Sequence, residues 1–296
     1  MLTKDRNIEC GYVTTEGDNL YYEVRGQGKP LLLIPAGEGK YYSGLADLLS
    51  NEYKVITYDR RANGRSTMNS PQNFEIGQQS RDALAVLQAA GEESGFIFGN
   101  STGAVIALDM AKTYPSAVRA VVAHEAPMAR MHPNALKWQR FFSSVYLTAF
   151  RFGSSAASLR FMFGAQLPVM KMIKASKKSD EYIKNYYNTS DEHHKNQKDE
   201  ADVSMKLELL PVTNYMPNIE KLKENSVKVF VAVGEWSLNK KTWYAISNKN
   251  MAEKLGCELV PFPGHHGSLA DMPDEWACTL RDVLHKADGG NKNEAK

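Results

Sequence analysis

Residues 95–114, GFIFGNSTGAVIALDMAKTY, join an apolar run typical of a buried strand to a pattern typical of a helix. The junction is Gly99-Asn-Ser-Thr-Gly103, a G-x-S-x-G motif. Between a strand and a helix, this motif predicts a sharp turn that holds the hydroxyl of Ser101 above the strand end. Glycine at both flanks lets the backbone pass where side chains would not fit. A glycine-rich turn without chemistry would have the same string, so the surrounding elements decide its meaning.

Apolar, strand-like runs alternate with helical patterns on both sides of this motif. The run at 30–34 is apolar at every position, as expected for a strand covered on both faces. Such alternation predicts an α/β fold with a doubly wound, mostly parallel sheet and helices on both of its faces. The predicted strands are 19–24, 30–34, 53–58, 95–98, 120–123, 227–233 and 258–262, and the predicted helices include 42–49, 102–114, 243–255 and 274–285.

The alternation stops between residues 128 and 225, where no strand pattern is visible and the first half is rich in Phe, Met and Trp. We predict an inserted helical cap over 128–225 and a core made of residues 1–127 and 226–286. An insert that follows the strand at 120–123 starts at the edge where parallel strands end, so it would cover that edge. The polar residues 287–296 are expected to form a disordered tail.

Charge and cysteine content limit the partners of the chain. Of 296 residues, 36 are Lys or Arg and 34 are Asp or Glu, so the net charge of +2 creates no dominant field for nucleic acid or a membrane. The three cysteines are far apart and form neither a CxxC pair nor a disulfide framework. Without an apolar signal core in the first residues, we expect a soluble cytoplasmic protein, and a homodimer stays open. No G-x-G-x-x-G motif or metal-ligand cluster is visible, so we expect no cofactor and no metal.

A histidine-containing loop could supply a base for Ser101. Serine is a weak nucleophile until a base takes its proton, and histidine is the usual base near neutral pH. The sequence Phe262-Pro-Gly-His-His-Gly267 follows the last predicted strand, which brings it to the sheet edge where Ser101 lies. From the residues alone, His265 and His266 both fit this role.

Four segments together resemble the α/β-hydrolase superfamily: LLLIPAGEG at 31–39, YDRRANGRS at 58–66, the Ser101 turn and the histidine loop. The resemblance implies an α/β-hydrolase fold in which a serine, a histidine and an acid act as a catalytic triad. Members often carry a P-G-x-H-x-G loop, and matching this loop implies that the base is His266. The reverse assignment, with His265 as the base, remains the alternative.

The acid of such a triad must hold the imidazole in one tautomer and stabilise the imidazolium. The family commonly has G-x-x-D after the penultimate strand, but this chain has Gly234-Glu-Trp-Ser237. Glu235 lies in that loop two positions early, and Asp271 is only five residues beyond His266. Glu125 follows the strand at 120–123 in a His-Glu-x-Pro segment similar to that of the fungal zearalenone lactonases. That resemblance makes Glu125 our expected acid, with Glu235 as the alternative.

Two backbone amides are candidates for an oxyanion hole. The turn motif itself supplies the N–H of Thr102, at the positive end of the following helix. The resemblance implies that the second donor is Gly37, in the loop after the strand at 30–34. Gly37 also permits the turn there, a role that is compatible with donation.

The insert provides candidate substrate contacts, for which we name Trp138, Phe141 and Met162. Its aromatic and Met-rich first half favours an uncharged, partly hydrophobic small molecule over a phosphorylated one. The resemblance implies a serine hydrolase that cleaves a carboxylic ester or lactone through an acyl-enzyme. The alternatives are a non-hydrolytic enzyme on the same fold, such as a lyase or a cofactor-free peroxidase-like enzyme, and a catalytically silent ligand-binding protein.

Overall fold

The computed structural model describes residues 8–69, 74–186 and 197–289, and an eight-stranded sheet lies at its centre. All the predicted strands are present in this sheet. The strands are β1 (Ile8–Thr15), β2 (Asp18–Arg25), β3 (Lys29–Ile34), β4 (Tyr53–Tyr58), β5 (Gly95–Asn100), β6 (Val118–His124), β7 (Lys228–Gly234) and β8 (Leu259–Phe262).

The strands lie in the order β1-β2-β4-β3-β5-β6-β7-β8. The first two run antiparallel to their neighbours, and all the others are parallel. This order confirms the predicted doubly wound sheet. Its register aligns the carboxyl ends of four adjacent strands, because Asn100 pairs with His124, His124 with Ala232, and Gly234 with Phe262. The segments that follow β5 to β8 therefore begin at one edge of the sheet.

The strand that sequence analysis missed is β1. It pairs with β2 along its whole length, and the two residues of the connecting turn, Glu16 and Gly17, have φ angles of 48° and 82°. Positive φ at both positions is typical of the tight turns that join twisted strands. β1 lies at the end of the sheet and has no buried residue, so it lacks the apolar run by which the other strands were recognised.

Helices connect the strands and cover both faces of the sheet. The described residues form α1 (Ser43–Leu49), α2 (Ile76–Ala89), α3 (Thr102–Thr113), α4 (Ala135–Phe152), α5 (Ser154–Gly164), α6 (Val169–Tyr186), α7 (Gln197–Asp202), α8 (Leu209–Thr213), α9 (Ile219–Glu224), α10 (Glu235–Lys240), α11 (Trp243–Leu255) and α12 (Pro273–Ala287).

Two apolar cores lie between the sheet and the helices that cover its faces. On one face, α2, α3 and α11 pack over side chains such as Ile34 and Val121. On the other face, α1 and α12 pack over Leu33 and Phe98, and Trp276 of α12 is fully buried against the strands. Strands such as β3 are apolar at successive positions because both of their faces are covered.

The chain between β6 and β7, which we call the helical insert (residues 128–225), has helices joined by short turns and loops in its described ranges, shows no strand there, and includes a π-helix, Val203–Glu208. It has an apolar cluster of its own, in which Trp138 and Phe142 of α4 contact Trp243 of α11. The separation of this insert as a cap domain remains a prediction. None of the helices in the described ranges combines the length and the apolar character needed to cross a membrane.

At the C-terminal end, α12 extends one residue beyond the predicted core boundary. Ala287 is buried as the last residue of this helix. Residues 290–296, which make up most of the predicted tail, lie outside the described residues.

Candidate active site

The turn between β5 and α3 holds Ser101 in a strained backbone conformation, with φ 56° and ψ −120°. The Ser101 N–H donates to the carbonyl of His124 at 2.9 Å, which fixes the turn to the end of β6. A Cβ on Gly99 would collide with the backbone of Gly103, and a Cβ on Gly103 would collide with the carbonyl of Ile34. Both glycines are therefore required by close backbone approach, as the motif predicts.

His266 and Glu125 are in direct contact. The Nδ1 atom of His266 lies 2.6 Å from Oε2 of Glu125, although the two residues are far apart in sequence. The Glu125 side chain is fully buried at the end of β6, whereas that of His266 is 13% exposed. Because a carboxylate can only accept, Nδ1 of His266 carries a proton, and in the neutral imidazole Nε2 is the nitrogen without one.

The second carboxylate oxygen of Glu125 also has a donor. Oε1 accepts the N–H of Gly234 at 2.9 Å, at the end of β7. A Cβ on Gly234 would stand only 3.1 Å from that oxygen, so glycine permits the approach. Burial acts to raise the pKa of Glu125, but the imidazoles of His124 and His266 and a hydrogen bond with Ser237 outweigh it and lower the pKa. Glu125 is therefore held as a carboxylate at neutral pH.

Asn100 connects the serine turn to the histidine loop. Its Nδ2 donates to the backbone carbonyl of His266 at 3.2 Å, and its Oδ1 lies 2.9 Å from Nδ1 of His124. Since Oδ1 accepts, His124 must carry its proton on Nδ1. Burial lowers the pKa of His124 to about 4, so this imidazole is neutral near pH 7. Ser101 itself is partly exposed, and its hydroxyl forms no hydrogen bond within the described residues.

The alternative base and acids lie elsewhere in the site. His265 is 4% exposed, and its Nε2 is 3.9 Å from a carboxylate oxygen of Asp271, too far for a hydrogen bond. Burial lowers the pKa of His265. Glu235 is exposed at the start of α10. Among the described contacts, neither Glu235 nor Asp271 meets His266, so Glu125 is the one of the three candidate acids that contacts that imidazole.

Ser237 occupies the position where the family's G-x-x-D motif would have its acid. It is fully buried, its hydroxyl lies 3.3 Å from that of Tyr244, and its side chain lies near enough to Glu125 to help lower the pKa of that carboxyl. The residue at this position therefore lies beside Glu125, the carboxylate that contacts His266. The sequence shows the serine at this position but contains no signal that places it beside Glu125.

Arg60 fixes the glycine-rich loop after β3, although the sequence did not predict a place for this residue in the site. The guanidinium of Arg60 is fully buried, donates to the carbonyl of Ala36 and forms an ion pair with Glu208 of the π-helix. In a trans peptide the C=O and the next N–H point in opposite directions. The N–H of Gly37 is therefore turned away from Arg60. Thr102 begins α3, where the first N–H groups have no partner within the helix.

The three candidate substrate contacts lie in different surroundings. Trp138 is 5% exposed and stacks on Trp243, with ring centroids 5.1 Å apart. Phe141 lines a groove between α4 and α5, and none of Ser101, Glu125 or His266 lines that groove. Met162 is 37% exposed on α5. Packing within the insert explains Trp138, so its contact with substrate stays a prediction, as do those of Phe141 and Met162.

Within the described ranges, no three acidic, histidine or cysteine side chains come together in a group that could hold a metal ion.

A family model for the alpha/beta hydrolase fold matches residues 29–207. The chain belongs to this family. Over 288 residues it is 27% identical to the uncharacterized hydrolase YraK of Bacillus subtilis strain 168, which covers 94% of this chain and 97% of that protein. It is also 30% identical to the zearalenone hydrolase of Cladophialophora bantiana, over 40% of this chain and 46% of the relative.

Solved structures agree with this assignment at the level of the fold. A thermophilic esterase from Thermogutta terrifontis superimposes with a TM-score of 0.71 at 17% identity, over 94% of this chain and 99% of that one. Together with the family match and the hydrolase relatives, these findings identify the protein as a hydrolase of the α/β-hydrolase family.

Proposed function

We propose that the protein is a serine hydrolase that cleaves a carboxylic ester or lactone through an acyl-enzyme. The observation that carries this proposal is the 2.6 Å contact between His266 and the buried Glu125, at the sheet edge where Ser101 sits on its strained turn. A carboxylate, an imidazole and a hydroxyl from three strand ends are the components that acyl transfer needs.

In the first half of the reaction, the Ser101 oxygen attacks the carbonyl carbon of the substrate. The Nε2 atom of His266 takes the hydroxyl proton, and Glu125 stabilises the imidazolium through Nδ1. When the tetrahedral intermediate collapses, the bond to the leaving alcohol breaks and His266 returns the proton to that alcohol. The product of this half is an ester between Ser101 and the acyl group.

In the second half, water takes the place of the alcohol. His266 removes a proton from the water, the hydroxide attacks the acyl carbon, and the Ser101 oxygen leaves with the proton that His266 returns. The products are a carboxylic acid and the free enzyme. No metal or cofactor takes part in this scheme.

The oxyanion of both tetrahedral intermediates would accept hydrogen bonds from the Gly37 and Thr102 amides. The position of Thr102 at the first turn of α3 adds the positive end of the helix. The hydrogen bond that Arg60 donates to the Ala36 carbonyl supports this role, because it leaves the Gly37 N–H pointing away from Arg60. Removal of one such donor typically costs about 2.7–4 kcal/mol of transition-state stabilisation.

The insert and a relative support the proposed substrate class. The insert contributes aromatic and methionine side chains near the edge of the sheet where β6 ends, which suits a partly hydrophobic small molecule. The partial relative from Cladophialophora bantiana carries the name zearalenone hydrolase, and this supports lactones as one group of substrates to test.

The test combines active-site labelling with a substrate panel. A fluorophosphonate probe should label the wild-type protein once and Ser101→Ala not at all, as measured by intact mass. The wild-type protein should also hydrolyse members of a panel of acyl esters and macrocyclic lactones. Absence of labelling in the folded protein would favour a ligand-binding protein. Labelling without turnover of any panel member would favour a non-hydrolytic enzyme.

A further inference from the structure

A stretch of the chain that includes α4 and α5 has a charge very different from that of the whole molecule. Between Glu125 and Asp180 there is no Asp or Glu, whereas there are nine Lys or Arg residues. The formal net charge of the complete chain is only +2, so the remainder of the chain carries net negative charge. The balanced total therefore hides a strongly basic segment.

Large apolar side chains are exposed on the same helices. Leu147 and Phe150 of α4 are 50% and 60% exposed, and Leu159 and Phe163 of α5 are 54% and 74% exposed. The groove between the two helices has a volume of about 610 Å³ and is lined by Leu159, Phe163 and the Arg160 side chain. Apolar groups exposed together in this way mark a surface that binds something.

Basic and apolar groups share one side of α4. Arg140, Leu147 and Arg151 are separated by seven and four residues, which places them on the same face of a helix. All three are exposed. Neither Arg140, Arg151 nor Arg160 forms an ion pair with any described residue. Asp202, an acid of the insert, is paired with Lys206 at 2.9 Å.

We infer that the outer face of α4 and α5, formed by Leu147, Phe150, Leu159 and Phe163 with Arg140 and Arg160, binds an anionic lipid surface. Aromatic and aliphatic groups would enter the boundary between headgroups and acyl chains while the guanidinium groups contact lipid phosphates. A segment that lies on a membrane needs no spanning helix. The inference goes beyond the proposed hydrolysis and does not depend on it, because it concerns binding without turnover.

A second copy of the chain fits this face less well. A symmetric dimer places the same patch of each copy against the other, so arginines of α4 and α5 would meet the same arginines of the partner, and neither helix contains an acid. An anionic membrane offers the opposite charge. The inference departs from our expectation that no membrane is a partner, because that expectation was based on the net charge of the complete chain.

Vesicle flotation tests the inference. The full chain should float with vesicles of two parts phosphatidylcholine to one part phosphatidylglycerol and should stay in solution with phosphatidylcholine alone. Raising the salt to about 1 M, where the Debye length falls to about 3 Å, should weaken the binding. The charge-reversal pair Arg140→Glu with Arg160→Glu should reduce the partition coefficient at least about 30-fold, and Leu147→Ser with Phe163→Ser about tenfold.

Matched controls use exposed residues outside the insert. Lys254→Glu on α11 and Tyr12→Ser on β1, where Tyr12 is 55% exposed, should leave flotation unchanged. Three outcomes would overturn the inference. The first is absence of flotation with the anionic vesicles at low salt, and the second is an equal loss of flotation in the control variants. The third is a wild-type dimer, detected by light scattering, that becomes a monomer in Leu147→Ser with Phe163→Ser. That result would assign the face to a second copy of the chain.

Discussion

The sheet edge around Glu125 and the outer face of α4 and α5 differ in how far their polar and charged side chains are paired. At the sheet edge, both Glu125 oxygens and both polar atoms of the Asn100 side chain have partners at 2.6–3.2 Å. On the α4 and α5 face, arginines stand exposed and without ion pairs among the described residues. Satisfied buried groups fix one geometry, as the proposed acyl transfer would require, whereas exposed arginines without an ion pair to any described residue stay available to an external partner.

The largest effect should come from the base. His266→Ala should lower kcat for the best ester or lactone by at least about 10⁴-fold, because the Ser101 proton then has no acceptor. His265→Ala, with circular dichroism to confirm folding, should lower kcat by about tenfold or less. Stopped-time assays on both variants measure the ratio. If His265→Ala has the larger effect, the two histidines have been assigned in the wrong order.

Backbone packing should distinguish the serine turn from an open helix end. Gly103→Ala would drive a Cβ into the carbonyl of Ile34 and should reduce the free energy of unfolding by about 3 kcal/mol or more. Gly256→Ala, at the end of α11, meets no atom within 4 Å, and its left-handed φ of 69° should cost only about 1 kcal/mol. Urea denaturation of both variants gives the comparison. Equal losses would mean that the serine turn is not unusually close-packed.

Acid should weaken the sheet edge through His124. Burial lowers its pKa to about 4 in the folded state, against 6.5 for the free side chain, so the unfolded chain binds the extra proton in this range. The free energy of unfolding should therefore fall as the pH drops from 6.5 to 4, by up to about 3 kcal/mol from this group. His124→Gln should flatten that part of the pH profile. A profile identical to wild type would remove His124 as its cause.

The smallest effect belongs to the exposed helices. Phe163→Ser should change the free energy of unfolding by no more than about 0.5 kcal/mol, because a side chain that is 74% exposed contributes little burial. Hydrolysis of a small soluble ester should also stay within about twofold of wild type. A large loss of either would place Phe163 in the folding core or in the substrate pocket, rather than on a docking face.

Sequence patterns predicted the sheet well because buried parallel strands are apolar on both faces. β3 and β5 illustrate this: each is a short apolar run bounded by polar or glycine-rich segments. β1 was missed because a strand with no buried residue has no such run. The turn at Ser101 was predictable because its neighbouring backbone leaves no room for a Cβ at either flank, so glycine is required there.

Contacts between distant segments could be predicted only in part. The resemblance to the zearalenone lactonases drew attention to Glu125, and the structure brings it to His266. The hydrogen bonds of Asn100, the contact of Ser237 with Glu125 and the ion pair of Arg60 with Glu208 depend on which strands become neighbours. No spacing within a single segment contains that information.

The rate at which a fluorophosphonate labels Ser101 in Glu125→Gln, compared with Glu235→Gln, tests the central claim most directly. If Glu125 orients and charges His266, labelling of Glu125→Gln should slow by about 10³–10⁴-fold while Glu235→Gln reacts at the wild-type rate. Near-normal labelling of a folded Glu125→Gln protein would contradict the claim that this buried carboxylate serves the reaction.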